Sequence, residues 1–171
     1  MSPQLRQRIA VGLLSLSAAG FATWQASEGF TDHAVIPTKG DVPTLGYGST
    51  RWEDGTPVRV GDTITRPRAE ILARNLNSQA EKEFAASLPG VRLHQDEFDV
   101  YLDFVGQYGI GTWRKGSPRR YLLEGNYVGA CEALLLYRFA AGYDCSTPGN
   151  RRCPGVWTRQ LERNAKCKAA Q

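Results

Sequence analysis

From Ile9 to Ser27 the chain carries no charged side chain, and Arg6 and Arg8 stand just before that stretch. A positive flank followed by an apolar run is the layout of an export signal, with the flank kept inside and the body sent out. As one helix, nineteen residues at about 1.5 Å each would cover roughly 28 Å, barely the hydrocarbon thickness of a bilayer. Gly12, Ser15, Ser17, Ala18, Ala19, Gly20, Ala22 and Thr23 dilute the apolar Ile9, Val11, Leu13, Leu14, Leu16 and Phe21. Such a segment is weakly held in lipid, and its small residues suit close packing against protein. The pattern predicts a helix that enters the membrane first and is later released to pack on the folded body. Cleavage at the small residues Ser17 and Ala19, or permanent anchoring, are the alternatives, and cleavage would remove most of the helix that runs into Glu28.

Beyond Gly29 the pattern shortens. Apolar runs around Ala34–Ile36, Thr44–Tyr47 and Val58–Val60, separated by Gly, Pro and Thr, predict hairpin strands, and Asp54-Gly55 predicts a turn. From Thr65 the period becomes helical: Thr65 can cap, Pro67 suits an early helical position, and Ile71, Leu72, Leu76, Ala80 and Phe84 share a face up to about Leu88. Further helices are predicted over His94–Tyr108, Ser117–Glu124 and Tyr127–Ala140, with a last one opening near Gly155. The outline is an α+β fold with a small N-terminal β-hairpin lobe, a larger helical lobe and a cleft between them. Residues 1–27 form the N-terminal segment and 28–171 one globular domain.

Composition adds little to that outline. Twenty-one Lys and Arg against seventeen Asp and Glu leave +4 over 171 residues, a balance that suits anionic surfaces without choosing among them. All four cysteines, Cys131, Cys145, Cys153 and Cys167, lie in the last quarter of an export-like chain, so disulfides are expected. Zinc reads less well, because no C-x-x-C pair occurs and His33 and His94 stand far upstream. Three pairings are possible, and the spacing selects none.

The chemistry concentrates in Ser27-Glu28-Gly29-Phe30 and in Gly40-Asp41-Val42-Pro43-Thr44-Leu45-Gly46-Tyr47-Gly48. A carboxyl at a helix end is followed by a hairpin with a second carboxyl and a hydroxyl. Glycoside hydrolysis needs an acid that protonates the leaving oxygen and a base or nucleophile across the sugar. The partial negative charge of a helix C-terminus also favours the protonated form of a carboxyl placed there. Taken singly, Glu28 would be a solvated terminal residue, Thr44 a strand threonine, and Gly46 and Gly48 glycines that allow close backbone approach. His33 beside Asp32 reads as a surface residue. Trp52, Trp113, Tyr108 and Tyr47 read as core rather than sugar-stacking rings, and Arg114, Lys115, Arg119 and Arg120 as a solvated basic face that can also meet anionic wall polymer.

With Tyr108-Gly109-Ile110-Gly111, the helix Arg119–Asn126 and Gly155-Val156-Trp157-Thr158-Arg159, these stretches resemble the phage-type lysozymes of glycoside hydrolase family 24, and more narrowly the signal-anchor-release endolysins. The resemblance covers essentially the whole chain. It implies a lysozyme-like fold and hydrolysis of the β-1,4 bond between N-acetylmuramic acid and N-acetylglucosamine in peptidoglycan, leading to host lysis. No cofactor, metal or nucleic acid is implied, and the expected state is a monomer. Glu28 matches the family's general acid and Thr44 its catalytic threonine. The family's aspartate falls nine residues after the glutamate and six before the threonine, where this chain has Pro37 and Thr38. Asp41 is the expected substitute and Asp32 its rival.

A zinc amidase or cysteine peptidase reads poorly, since two histidines are too few and no cysteine stands in sequence context with a histidine. A lytic transglycosylase needs only one glutamate and stays open, as does a non-catalytic wall-binding protein. The expected location is the periplasm, initially tethered to the inner membrane by the N-terminal segment. That segment lacks cysteine, so control is expected from refolding of its helix rather than from thiol exchange.

Overall fold

The computed structural model describes residues 7–171; Arg6, the first of the two flanking arginines, lies outside them. In chain order the elements are β1 (Ile9–Ala10), α1 (Ala18–Glu28), β2 (Thr31–Val35), β3 (Thr44–Gly46), α2 (Arg66–Ala86), β4 (Arg92–Leu93), α3 (Gln95–Lys115), α4 (Ser117–Leu123), α5 (Tyr127–Ala133), β5 (Phe139–Ala140), β6 (Tyr143–Asp144) and α6 (Pro154–Ala169). Helices with three small antiparallel pairs, β1–β4, β2–β3 and β5–β6, meet the α+β expectation. The described residues divide into two compact units: a hairpin unit, Ser15–Lys82, and a helical unit made of Glu83–Gln171 together with residues 7–14.

The stretch Ile9–Ser27 is not one helix in this structure. After β1 it makes a single 3-10 turn over Val11–Leu13 and turns extended at Leu14, before Ser17 starts α1 by accepting a hydrogen bond from the Gly20 amide at 2.9 Å. A serine at that position satisfies one of the amide donors that every helix start leaves open. Among the described residues no helix is long and apolar enough to cross a membrane; α1, with eleven residues, reaches only about 16 Å.

Within the hairpin unit, β2 and β3 pair Thr31 with Gly46 and Val35 with Thr44, with a register shift between. The predicted third strand at Val58–Val60 does not form. Asp62 closes a turn there, its carboxylate accepting from the Arg59 amide at 2.9 Å and its amide donating to the Arg59 carbonyl at 3.0 Å. Val58 is buried but Val60 is exposed. The core joins Phe21 of α1, Leu45, Tyr47, Ile64, and Leu72 and Ala73 of α2. Leu45 and Leu72 are wholly excluded from solvent, each stabilising by roughly 1.5–3 kcal/mol.

In the helical unit, α3 carries the expected face of Phe98, Tyr101, Leu102 and Val105. Its regular path breaks at Gly109, φ 81°, one residue after its predicted end. A further helical stretch then delivers Trp113 to the core, against Phe84 and Tyr101 at ring distances of 5.1 and 5.4 Å. The predicted Tyr127–Ala140 helix stops at Ala133. The Leu134–Leu136 run forms a 3-10 turn, and left-handed Ala141 and Gly142 fold β5 back onto β6; that turn overrides a helical period. Disulfides join Cys131 to Cys167 and Cys145 to Cys153.

Candidate active site

The local fold places Glu28 by two glycines. At the end of α1, Gly29 takes φ 71° and donates its amide to the Gln25 carbonyl at 3.3 Å, a left-handed turn that favours a residue without Cβ. The exposed Glu28 carboxylate then lies against the backbone of Gly48. A Cβ at Gly48, φ 76°, would stand 3.0 Å from Glu28 Oε2. The close approach that Gly48 permits is therefore made by the carboxylate of the expected acid.

Gly48 lies in the tight turn that follows β3, where Leu45 and Ser49 bond to each other across it at 3.0 Å. Thr44 is half-buried, its Oγ1 donating to the Val35 carbonyl across the hairpin at 3.5 Å. Asp41 stands three residues earlier, in the loop between β2 and β3, and is exposed. Its amide donates to the Thr38 carbonyl at 3.0 Å, while its carboxylate accepts from the Val42 amide at 2.9 Å and from Thr38 Oγ1 at 3.3 Å. These bonds fix the carboxylate within the turn. Thr38, one of the two positions where the family pattern leads one to expect the aspartate, contributes a hydroxyl to Asp41 three residues on.

Asp32 is placed differently. It sits on β2, paired at 2.6 Å with His33 Nδ1, and the hydrogen bond from His33 draws its carboxyl below the ordinary carboxylate value. Both line a cavity of about 570 Å3 with Phe30, Thr63, Thr65 and Arg66, and Glu28 is not on its wall. A separate cavity of about 270 Å3 lies along Trp24, Tyr47, Gly48, Ser49 and Thr50, with Gly48 common to it and to the Glu28 contact.

The aromatic residues underneath are structural. Phe21, Trp24, Tyr47 and Phe30 follow one another at 5.7, 6.2 and 5.5 Å between rings, and Tyr47 is buried. Trp113 and Tyr108 also serve the interior: the Trp113 indole donates to Ser87 Oγ at 2.9 Å, and the Tyr108 hydroxyl donates to the Tyr137 carbonyl at 2.9 Å. Within the basic group, Arg119 donates to the Ser87 carbonyl at 2.8 Å. Trp24 also lines the cavity that Gly48 borders and was not singled out from the sequence. Its position four residues before Glu28, one helical turn away, is the signal that could have found it.

Comparison with known proteins bears on the family and the fold. The family model described as phage lysozyme matches residues 25–162. The endolysin of Salmonella phage P22 is 30% identical over 142 residues, covering 82% of this chain and 95% of that one. Among solved structures, an endolysin from Escherichia coli O157:H7 phage FAHEc1 superposes with a TM-score of 0.71 at 26% identity, over 91% of this chain and 94% of that one. The active form of the P1 phage endolysin Lyz shares the fold at a TM-score of 0.72 and 16% identity, over 92% of this chain and 87% of that one. The chain belongs to the phage lysozyme family and is a glycoside hydrolase.

Proposed function

We propose that this peptidoglycan-degrading enzyme cleaves the β-1,4 bond between N-acetylmuramic acid and N-acetylglucosamine, with Glu28 as acid, Asp41 as second carboxylate and Thr44 as the residue that orients water. Glu28 gives its proton to the glycosidic oxygen as the bond to the anomeric carbon breaks. Water held near Thr44 then adds to that carbon and passes a proton to Asp41. The observation that carries the reading is the Glu28 carboxylate laid on Gly48, in the turn that directly follows β3, the strand that bears Thr44. Asp41 is favoured over Asp32 because Asp32 is paired with His33 on a cavity whose wall does not include Glu28.

Digestion of purified peptidoglycan in isotopically labelled water tests this. Labelled reducing ends are expected, whereas unlabelled anhydro ends would assign a lytic transglycosylase. Glu28→Gln should lose at least about a thousandfold in rate, Asp41→Asn about a hundredfold and Asp32→Asn less than about threefold, general acid–base steps being worth 10²–10⁴. A Glu28→Gln variant as active as its parent would refute the catalytic reading.

The same reading places the protein in the periplasm, first held at the inner membrane by residues 1–27 and active as a monomer after release. The charge-free stretch behind Arg6 and Arg8, diluted by glycine and serine, supports it. While that stretch is in the bilayer, Glu28 is kept at the membrane face. Replacing Gly12, Ser15 and Ser17 by leucine should leave the chain in the membrane pellet and abolish lysis; undiminished lysis by that variant would sink the release reading.

A further inference from the structure

The most solvent-excluded carboxylate of the helical unit belongs to Glu97, which is 0% exposed. Part of its role is local: as the third residue of α3 it accepts from the His94 amide at 2.7 Å, closing the helix start. The rest is non-local. Arg8, eighty-nine residues away in sequence, gives Nε to one carboxylate oxygen and Nη2 to the other, both at 3.1 Å. Gln171 closes the group, donating Nε2 to Glu97 at 2.8 Å and to the Cys167 carbonyl at 2.9 Å, while its Oε1 accepts from Arg8 Nη2 at 2.7 Å. The Arg8 guanidinium also lies over the Tyr127 ring, 3.7 Å from its centre.

Arg8 is the head of a short arm. Its carbonyl accepts from Arg92 Nε at 3.0 Å, Ile9 and Ala10 pair with Leu93 and Arg92, and the Val11 amide donates to the Val91 carbonyl at 3.1 Å. Val11 is buried. Backbone pairing over so few residues is weak, so the charged pair adds a side-chain tie that the arm's backbone bonds do not supply. A buried carboxylate stripped of its cation is costly, while the forked guanidinium geometry suits both its oxygens at once.

We propose that Arg8 and Glu97 form a latch that couples docking of the N-terminal arm to completion of the helical unit. With the arm in a bilayer, Glu97 stays buried in the helix start without the Arg8 charge; with the arm released, the pair forms and ties the arm, α3 and the Cys131–Cys167 disulfide into one cluster. Arg8 thereby serves at two stages, as a charge that orients the segment at the membrane and as the cation that secures it afterwards. The second half rests on the anchor-release reading, and the test separates the two.

Hydrogen exchange on the purified full chain reads the latch alone. Arg8→Met, Arg8→Lys and Glu97→Gln should each speed exchange of the Val11 amide at least about tenfold, the equivalent of about 1.4 kcal/mol. The Arg8→Met/Glu97→Gln double variant should add little to either single change. Glu97→Gln keeps an oxygen for the His94 amide, and the Arg8 variants leave the helix start untouched, so loss of folding is not the expected cause. Lys168→Met, which breaks the exposed Lys168–Glu132 pair, is the control and should change nothing at Val11. Val11 exchange unchanged in Glu97→Gln, or fully additive effects, would overturn the latch. Membrane fractionation reads the coupling: Arg8→Lys and Glu97→Gln should insert like the parent and yield at least about threefold less soluble protein on depolarisation. Equal release by both variants would overturn the coupling, whereas a parent chain that never pellets with membranes would overturn the anchor reading and leave the exchange result to decide the latch.

Discussion

A single methyl group at Gly48 is the sharpest probe of the proposed acid. In Gly48→Ala the new Cβ would stand 3.0 Å from Glu28 Oε2, about half an ångström inside ordinary contact. Either the carboxylate or the hairpin backbone must yield by that amount. Misplacement by a full ångström costs about a hundredfold in rate, so half of that predicts a loss of about tenfold in kcat, near 1.4 kcal/mol, with KM little changed. The same substitution places a side chain at φ 76°, which costs about 1–2 kcal/mol of stability on its own. Gly55→Ala separates the two effects, because Gly55 has φ 86° and nothing within 4 Å of the added Cβ. The assay is release of soluble fragments from purified dye-labelled peptidoglycan at saturating substrate, with thermal melting alongside. Both variants should melt lower by similar amounts, and only Gly48→Ala should lose turnover. Equal kcat for the two would refute the claim that Gly48 sets the position of Glu28.

The disulfides close loops with sequence separations of 36 and 8 residues, which loop-closure entropy values at about 4 and about 2.5 kcal/mol. Cys131→Ser/Cys167→Ser should therefore melt roughly 10 °C lower and Cys145→Ser/Cys153→Ser by less; calorimetry giving the opposite order would count against a chain-entropy origin. Glu53 is held down at about 2 by its bidentate bond with Arg68, at 2.7 and 2.8 Å. A depressed carboxylate contributes stability that is present above its ordinary value of 4.5 and is lost as pH falls from there through about 2. Since the two side chains are 26% and 42% exposed, the pair contributes at most about 1 kcal/mol. The melting gap between the parent and Glu53→Gln should be open at pH 6 and narrowed at pH 3, and a gap independent of pH would contradict the assignment.

Much of this architecture could be read from local pattern. Thr65 and Gly29 stand where helices begin and end, by chemistry that acts within a turn, and the Glu28 to Gly48 stretch points to the family through residue types at short spacing. Ser17, which divides the Ile9–Ser27 run by starting α1, is hidden in the small residues around it. What escaped the reading depends on competition or distance. Leu134–Leu136 has a helical period, but Ala141 and Gly142 can adopt left-handed backbone and offer a hairpin instead. Val58–Val60 has strand-like residues, but Asp62 offers the backbone a turn. The contact of Glu28 with Gly48 spans twenty residues and joins two motifs whose meeting no period encodes. The Arg8–Glu97 pair lies further still from local pattern: one partner reads as a topological charge, the other as an ordinary acidic residue in a first helical turn.

The division of the chain bears on the order in which it folds. The hairpin unit is continuous from Ser15 to Lys82, whereas the helical unit is interrupted by that whole stretch. An open chain of eighty-nine residues between Arg8 and Glu97 would have to be gathered before the pair could form, at an entropic cost that grows with the logarithm of its length. Once the hairpin unit has collapsed on its own contiguous contacts, most of that length is no longer free. The inserted unit thus acts as a preformed spacer, and the arm is set to close last, on a scaffold whose chain entropy has already been spent.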